Sequence, residues 1–395
     1  MREESSATVK NCVTIRAVLL FLTALLCLLS PSLLPLSLHS LQGRLHAVDI
    51  VTFQDGGHQI TLKGTFVTTP SLDTLLLMTA DSHYHLLKKQ SVIEQISDSA
   101  PFEYADKGVV SRTLQREFGS QFNVQSSTHY VICSSASAVD TNRCTAALER
   151  LFKGFFAFWR NRGLSLTPPP NQLVIVLHGN REMYQQHGQN ELGAAVSSVH
   201  GYYSQKTNRV NLLAIDVAQR NGIARGASSI LASRTMATVI HEATHQLSYN
   251  SGLQTRLAPH PLWFSEGLAI FFEPPNLKTQ TGYQPIGSVS PLHLGIYRTA
   301  SRVRKVMNLE ELVSHDRAFR DSATIRMAYA QSWALTYFLI RTRREEFLNY
   351  LKTHGAKQSL CADNSEIRLR DFEEAFGETI RELQRGFQRY MQRVN

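Results

Sequence analysis

Glu266 is the only charged residue in the run Pro261-Leu262-Trp263-Phe264-Ser265-Glu266-Gly267-Leu268-Ala269-Ile270-Phe271-Phe272. A segment this apolar must be buried on nearly every side, and an ionised carboxylate inside it is costly unless it is paired or binds a metal. Proline at the first turn is where a helix tolerates it, so the run reads as a short buried helix. The fold therefore has to bring a cation to Glu266. An arginine or a metal ion would serve.

Twenty-one residues before Glu266 ends the pentapeptide His241-Glu242-Ala243-Thr244-His245. It lies in a run, Ser233 to Tyr249, whose apolar residues Met236, Val239, Ile240, Ala243 and Leu247 recur at helical spacing, with Asn250-Ser251-Gly252 as its stop. Residues four apart share a helix face, so both imidazoles can reach one tetrahedral ion. Glu266, arriving on an antiparallel neighbouring helix, is the candidate third ligand, which leaves a fourth position for water. Glu242, beside the first histidine, can take a proton from that water and return it to a leaving amine. The plainer alternative is a pair of surface histidines.

His-Glu-Ala-Thr-His followed by Leu-Trp-Phe-Ser-Glu-Gly-Leu-Ala resembles the gluzincin metallopeptidases, which include thermolysin and the aminopeptidase-N-like enzymes. More closely it resembles an uncharacterised exported bacterial family, a domain of unknown function placed in the peptidase MA-like clan. The resemblance covers residues 120 to 390. It implies zinc on His241, His245 and Glu266, catalysis by Glu242, and a peptide or protein substrate lying extended along an edge strand, for which residues 201 to 213 are the candidate. Aminopeptidase-N-like enzymes stabilise the oxyanion with a tyrosine on a later helix, and Tyr329 occupies a comparable place. A buried core tyrosine is the alternative there. His260 and Tyr249 are further candidates for the same work. Two departures stand out. The Gly-Met-Glu-Asn signature that anchors a free amino terminus is absent, so aminopeptidase activity does not carry over. Ile270 replaces the aspartate that orients a ligand histidine in thermolysin-like enzymes, and Glu273, one turn along, is the candidate substitute.

The remaining chain sets the context. Residues 1–47 read as a targeting segment. Arg2, Lys10 and Arg16 precede an apolar run from Ala17 to Leu29, and Leu45-His46-Ala47 offers a small residue for cleavage. The protein is expected to be exported, either freed of this leader or attached to a membrane by it. Residues 48–96 alternate as strands, with Gly64 marking a bulge or bend, and form a small β module. Residues 97–119 read as linker and short helix, and 120–395 as a zincin-like domain. In that domain a long aromatic-rich helix runs from an Asp140 cap to Arg162, and helices dominate beyond Ser233. Strands first and helices after give the α+β class. A last helix, Thr379 to Arg393, presents Arg381, Arg385, Arg389 and Arg393 on one face. Outside the leader, Cys133 and Cys144 either pair as a disulfide or, with Cys361, remain buried thiols.

Composition excludes less. Lys and Arg exceed Asp and Glu by 41 − 32 = 9, yet no dense basic block interleaves with aromatics, so nucleic acid is not an expected partner. Two functional classes remain at this level: a zinc peptidase, and a non-catalytic exported protein that keeps the scaffold.

Overall fold

A computed structural model describes residues 47–214, 225–273 and 285–395. Residues 1–46 of the expected targeting segment, with Cys12 and Cys27, lie outside them, and its last residue, Ala47, opens the first strand.

The β-rich first part is an antiparallel sheet. Its strands are β1 (Ala47–Asp55), β2 (His58–Val67), β3 (Thr74–Thr79), β4 (Tyr84–Lys88) and β5 (Val92–Pro101), in the order β4-β3-β2-β1-β5. Gly56 and Gly57, with φ of 54° and 85°, close the β1–β2 hairpin, because its two-residue turn needs positive φ at both positions. Gly64 makes no bulge. It pairs with Asp49 and Thr79, and a side chain there would strike the Met78 carbonyl. The irregularities fall between β1 and β5 instead. β5 also runs through Ser97 to Pro101, where a linker was expected. Its exposed face, Ile93 and Ile96 included, buries too little to give a period-2 signal. The helix α1 (Lys107–Phe118) follows, capped by Asp106.

The second sheet contains β6 (Asn123–Ser126), β7 (Tyr130–Ser134), β8 (Leu173–His178), β9 (Gly201–Tyr203) and β10 (Arg209–Leu213), in the order β6-β7-β8-β10-β9. β7, β8 and β10 are parallel, with an antiparallel strand at each edge. Helices α2 (Ala138–Arg160) and α3 (Arg181–Leu192) interleave with these strands, which the sequence pattern had not separated from a plain strands-then-helices order. α2 is capped by Ser137, not Asp140; Asp140 N–H donates to Ser137 Oγ at 3.1 Å. Only β9 is an edge. The rest of the expected 201–213 edge, β10, is paired on both sides.

The helical last part carries α4 (Arg225–Asn250), α5 (Leu262–Phe272), α6 (Pro291–Arg302), α7 (Leu309–Ser314), α8 (Ile325–Thr342), α9 (Arg344–Gly355), α10 (Ser365–Phe376) and α11 (Ile380–Met391). The main core lies between the second sheet and these helices. Phe155 and Phe158 of α2 pack tilted and edge-on against Phe272 of α5, with ring centroids 5.1 and 5.2 Å apart, so the aromatic face of α2 is core. Thr379 and Glu382 form a capping box on α11, and Arg381, Arg385, Arg389 and Arg393 are exposed. No described helix is long and apolar enough to cross a membrane.

Cys133 and Cys144 are free thiols. Cys133 faces the cluster of Val110, Leu114 and Phe122, whereas Cys144 faces the main core, on opposite sides of the second sheet. Their side chains cannot meet, and burial pushes each thiol up to about 12. Ala47–Asn395 forms one compact unit.

Candidate metal centre

The helix α4 carries two polar stripes at fourfold spacing, His241-His245-Tyr249 and Glu242-Gln246-Asn250. The first faces α5. Gly267 is why α5 lies so close to α8: a Cβ there would sit 2.6 Å from the Ser332 carbonyl oxygen. That crossing sets Glu266, one residue earlier, between α4 and the start of α8.

His241 Nε2 lies 3.0 Å from Glu266 Oε2 and 3.2 Å from His245 Nε2, and His245 Nε2 lies 3.6 Å from Glu266 Oε1. Three donors bound at about 2.0–2.1 Å to one tetrahedral zinc would stand about 3.3 Å apart. The donors already have that spacing, and the three residues are a group able to hold a metal ion. Their side chains are 15%, 9% and 15% exposed for His241, His245 and Glu266, so the site is recessed but reachable. Among the described residues no arginine lies within salt-bridge distance of Glu266, and two surface histidines do not describe this geometry either.

Electrostatics point the same way. Burial disfavours charge on His241, yet Glu266, Glu273 and Glu242 together hold its imidazolium well above the ordinary histidine range. Burial likewise opposes charge on Glu266, and His245 and His241 outweigh it, holding the carboxyl well below the usual range. The donor set thus favours one positive charge at its centre, a proton or a metal ion. Glu273 Oε1 sits 3.7 Å from His241 Nδ1, beyond a direct hydrogen bond but close enough to orient the ring through charge.

Glu242 accepts a hydrogen bond from the backbone N–H of Tyr203, on β9, at 2.9 Å. Burial raises its carboxyl above the usual value, against the pull of His241 and His245. Gly201 permits the contact, since a Cβ there would stand 3.2 Å from Glu242 Cγ and 2.8 Å from Thr238 Cγ2. The second stripe continues along the same hairpin. Gln246 donates to the carbonyls of Asn208 and Val174 at 2.8 and 3.1 Å, and Asn250 exchanges amide hydrogen bonds with Asn208. Sequence reading missed this stripe; polar residues four apart, just offset from the histidines, were its signal.

Tyr329 faces the same centre. The charge of Glu266, with burial and Glu242 behind it, pushes its phenol upward. Tyr249 also lies near Glu266, but its hydroxyl accepts from Gln205 at 3.1 Å. His260 is elsewhere in role. Its Nδ1 meets His354 Nδ1 at 2.9 Å and its Nε2 faces the Thr255 backbone, so neither ring nitrogen is free for an oxyanion. His293 of α6, absent from the sequence candidates, feels the charges of Glu273 and His241 and bonds Ser290 Oγ at 2.8 Å.

Residues 235–360 match the model of a family described as protein of unknown function (DUF1570). His241, Glu242, His245, Glu266 and Tyr329 all fall within the matched stretch. A comparison with curated proteins finds no match.

Proposed function

We propose that this chain is a zinc-dependent metallopeptidase of the gluzincin kind, exported by its N-terminal segment, that hydrolyses peptide bonds. The observation that carries the reading is the convergence of His241 Nε2, His245 Nε2 and a Glu266 oxygen at the spacing of a tetrahedral zinc, beside a half-buried carboxylate that is not one of the three donors. Two imidazoles and one carboxylate suit zinc, and three protein ligands leave the open position that catalysis needs.

Zinc held there would supply Lewis acidity toward water and toward a scissile carbonyl. The chain's own groups do the rest. Glu242, raised by burial, is a proton acceptor that can hand the same proton to the leaving amine nitrogen. The Tyr203 N–H fixes one carboxylate oxygen and leaves the other to face the reactants. Tyr329, its hydroxyl kept protonated by the surrounding carboxylates, is the candidate donor to the developing oxyanion. An extended peptide would lie along β9, whose outer side has no strand neighbour among the described residues.

The experiment is cleavage of a denatured-protein library by the zinc-loaded chain and by Glu242→Gln. The expected result is a loss of about 10²–10⁴-fold in rate at unchanged zinc content. A variant that cuts as well as wild type removes Glu242 from the role.

A further inference from the structure

Arg256 lies in the connection between α4 and α5, and it is 5% exposed. Among the described residues no carboxylate lies within salt-bridge distance of it. Its guanidinium is spent on backbone carbonyls: Nε and Nη2 donate to Gln205 O at 2.9 and 2.5 Å, Nη2 to Lys206 O at 3.0 Å, and Nη1 to Ser82 O at 2.9 Å. Its Cζ stands 3.7 Å above the Tyr84 ring. Tyr84 N–H itself donates to Lys206 O at 2.8 Å. One buried cation therefore joins three parts of the chain: the β3–β4 turn of the first sheet, the loop between β9 and β10, and the connection between the two ligand-bearing helices.

Backbone conformation marks the same place. Five non-glycine residues among those described have positive φ, and four belong to this network: Ser82 (66°), Asn208 (58°), Leu257 (57°) and Leu360 (59°). Leu257 N–H donates to Gln205 Oε1 at 2.7 Å, Leu360 N–H to Leu257 O at 2.9 Å, and Ser359 Oγ to Arg256 O at 2.7 Å. Leucine seldom adopts this conformation, and it persists only where the surroundings over-determine it.

β9 is three residues long and among the described residues has one strand neighbour, so its own ladder fixes it poorly. The loop that leaves it is the part Arg256 grips. We propose that Arg256 is a positioning residue for Glu242: it pins the β9–β10 loop to the first sheet, and thereby holds the Tyr203 N–H on the Glu242 carboxylate. This rests on the reading of Glu242 as the base, and it gives the first sheet a task, as the anchor of that clamp.

The test compares full-length zinc-loaded wild type with Arg256→Met, Arg256→Lys and Tyr84→Leu. Amide hydrogen exchange at Tyr203, zinc content, kcat and KM are read for each. The expected result for Arg256→Met is Tyr203 exchange faster by about tenfold or more, with amides of residues 240–247 unchanged and one zinc retained. With it, kcat falls about 10–100-fold at little-changed KM, the mark of a misplaced group and not a lost binding contact. Arg256→Lys, whose single ammonium cannot span the carbonyls, and Tyr84→Leu follow in the same direction to a smaller extent. These two decide the matter if Arg256→Met does not fold. Unchanged Tyr203 exchange in every folded variant overturns the proposal, as does loss of zinc together with it, which would make Arg256 a support of the ligand helices. If wild type cleaves nothing, the peptidase reading fails, and the exchange measurement still decides the clamp.

Discussion

Two pairs of imidazoles lie within a short stretch of this fold, and they behave oppositely. His241 and His245 approach through their Nε2 atoms at 3.2 Å, and His260 and His354 through their Nδ1 atoms at 2.9 Å. Glu266 stands against both members of the first pair, with Glu242 and Glu273 close by, so positive charge is favoured there. The second pair packs among Phe264 and Tyr350, with no carboxylate on it among the described residues. Asp363 and Asp371 are taken by Lys357 and Arg368, and burial, with those positive charges behind it, pushes His260 down to about 4 and His354 well below the ordinary value. Two close histidines are therefore not a metal site. The carboxylate between them is what decides.

The contrast can be broken most sharply at Tyr329. If the first pair is a catalytic centre, Tyr329→Phe lowers kcat by about 10²–10³-fold, as loss of an oxyanion donor does, with zinc content intact. Removing a tyrosine that only packs would instead leave kcat alone and lower the melting temperature. Steady-state cleavage and a melting curve separate the two.

The next largest effect belongs to the second pair. His260 is held neutral in the fold and titrates near its ordinary value, about 6.5, when unfolded. The stability it contributes is complete above pH 6.5 and is lost as pH falls toward 4. Each pH unit in that window removes about 1.4 kcal/mol, so about 2 kcal/mol is gone by pH 5. Denaturant unfolding of the zinc-loaded protein at pH 7 and pH 5 measures it against the double variant His260→Gln/His354→Gln, in which this decline is absent. An equal decline in both proteins would remove the pair from the account.

Glu273 gives the smallest effect. Held 3.7 Å from His241 Nδ1, it would orient that ring from outside the three-residue group. Glu273→Gln is expected to weaken zinc about 10–100-fold, measured by competition with a chromogenic chelator, while leaving the stoichiometry at one. Unchanged affinity would leave that ring to be oriented by other groups.

The grouping of His241, His245 and Glu266 was legible in the sequence for a local reason. A helix puts residues four apart on one face, and a single charge in an apolar run has few explanations. Tyr329 came from resemblance, and its place beside Glu266 follows from the tight α5–α8 crossing at Gly267. What the sequence did not disclose is long-range or short-lived in pattern. β9 is too brief for periodicity to register, and β5 hides its strand character because its face is solvated. The Arg256 bond to Ser82 spans 174 residues, which no local pattern announces. The opposite facing of Cys133 and Cys144 depends on which side of β7 packs against α2, a choice made by the assembled sheet.

The central claim is that His241, His245 and Glu266 together hold one zinc ion. Elemental analysis of the purified chain, repeated on Glu266→Gln and on His260→Gln, tests it most directly. The account predicts one zinc per chain for wild type and for His260→Gln, and almost none for Glu266→Gln. A zinc-free wild type reconstituted without uptake, or full zinc occupancy in Glu266→Gln, would contradict it.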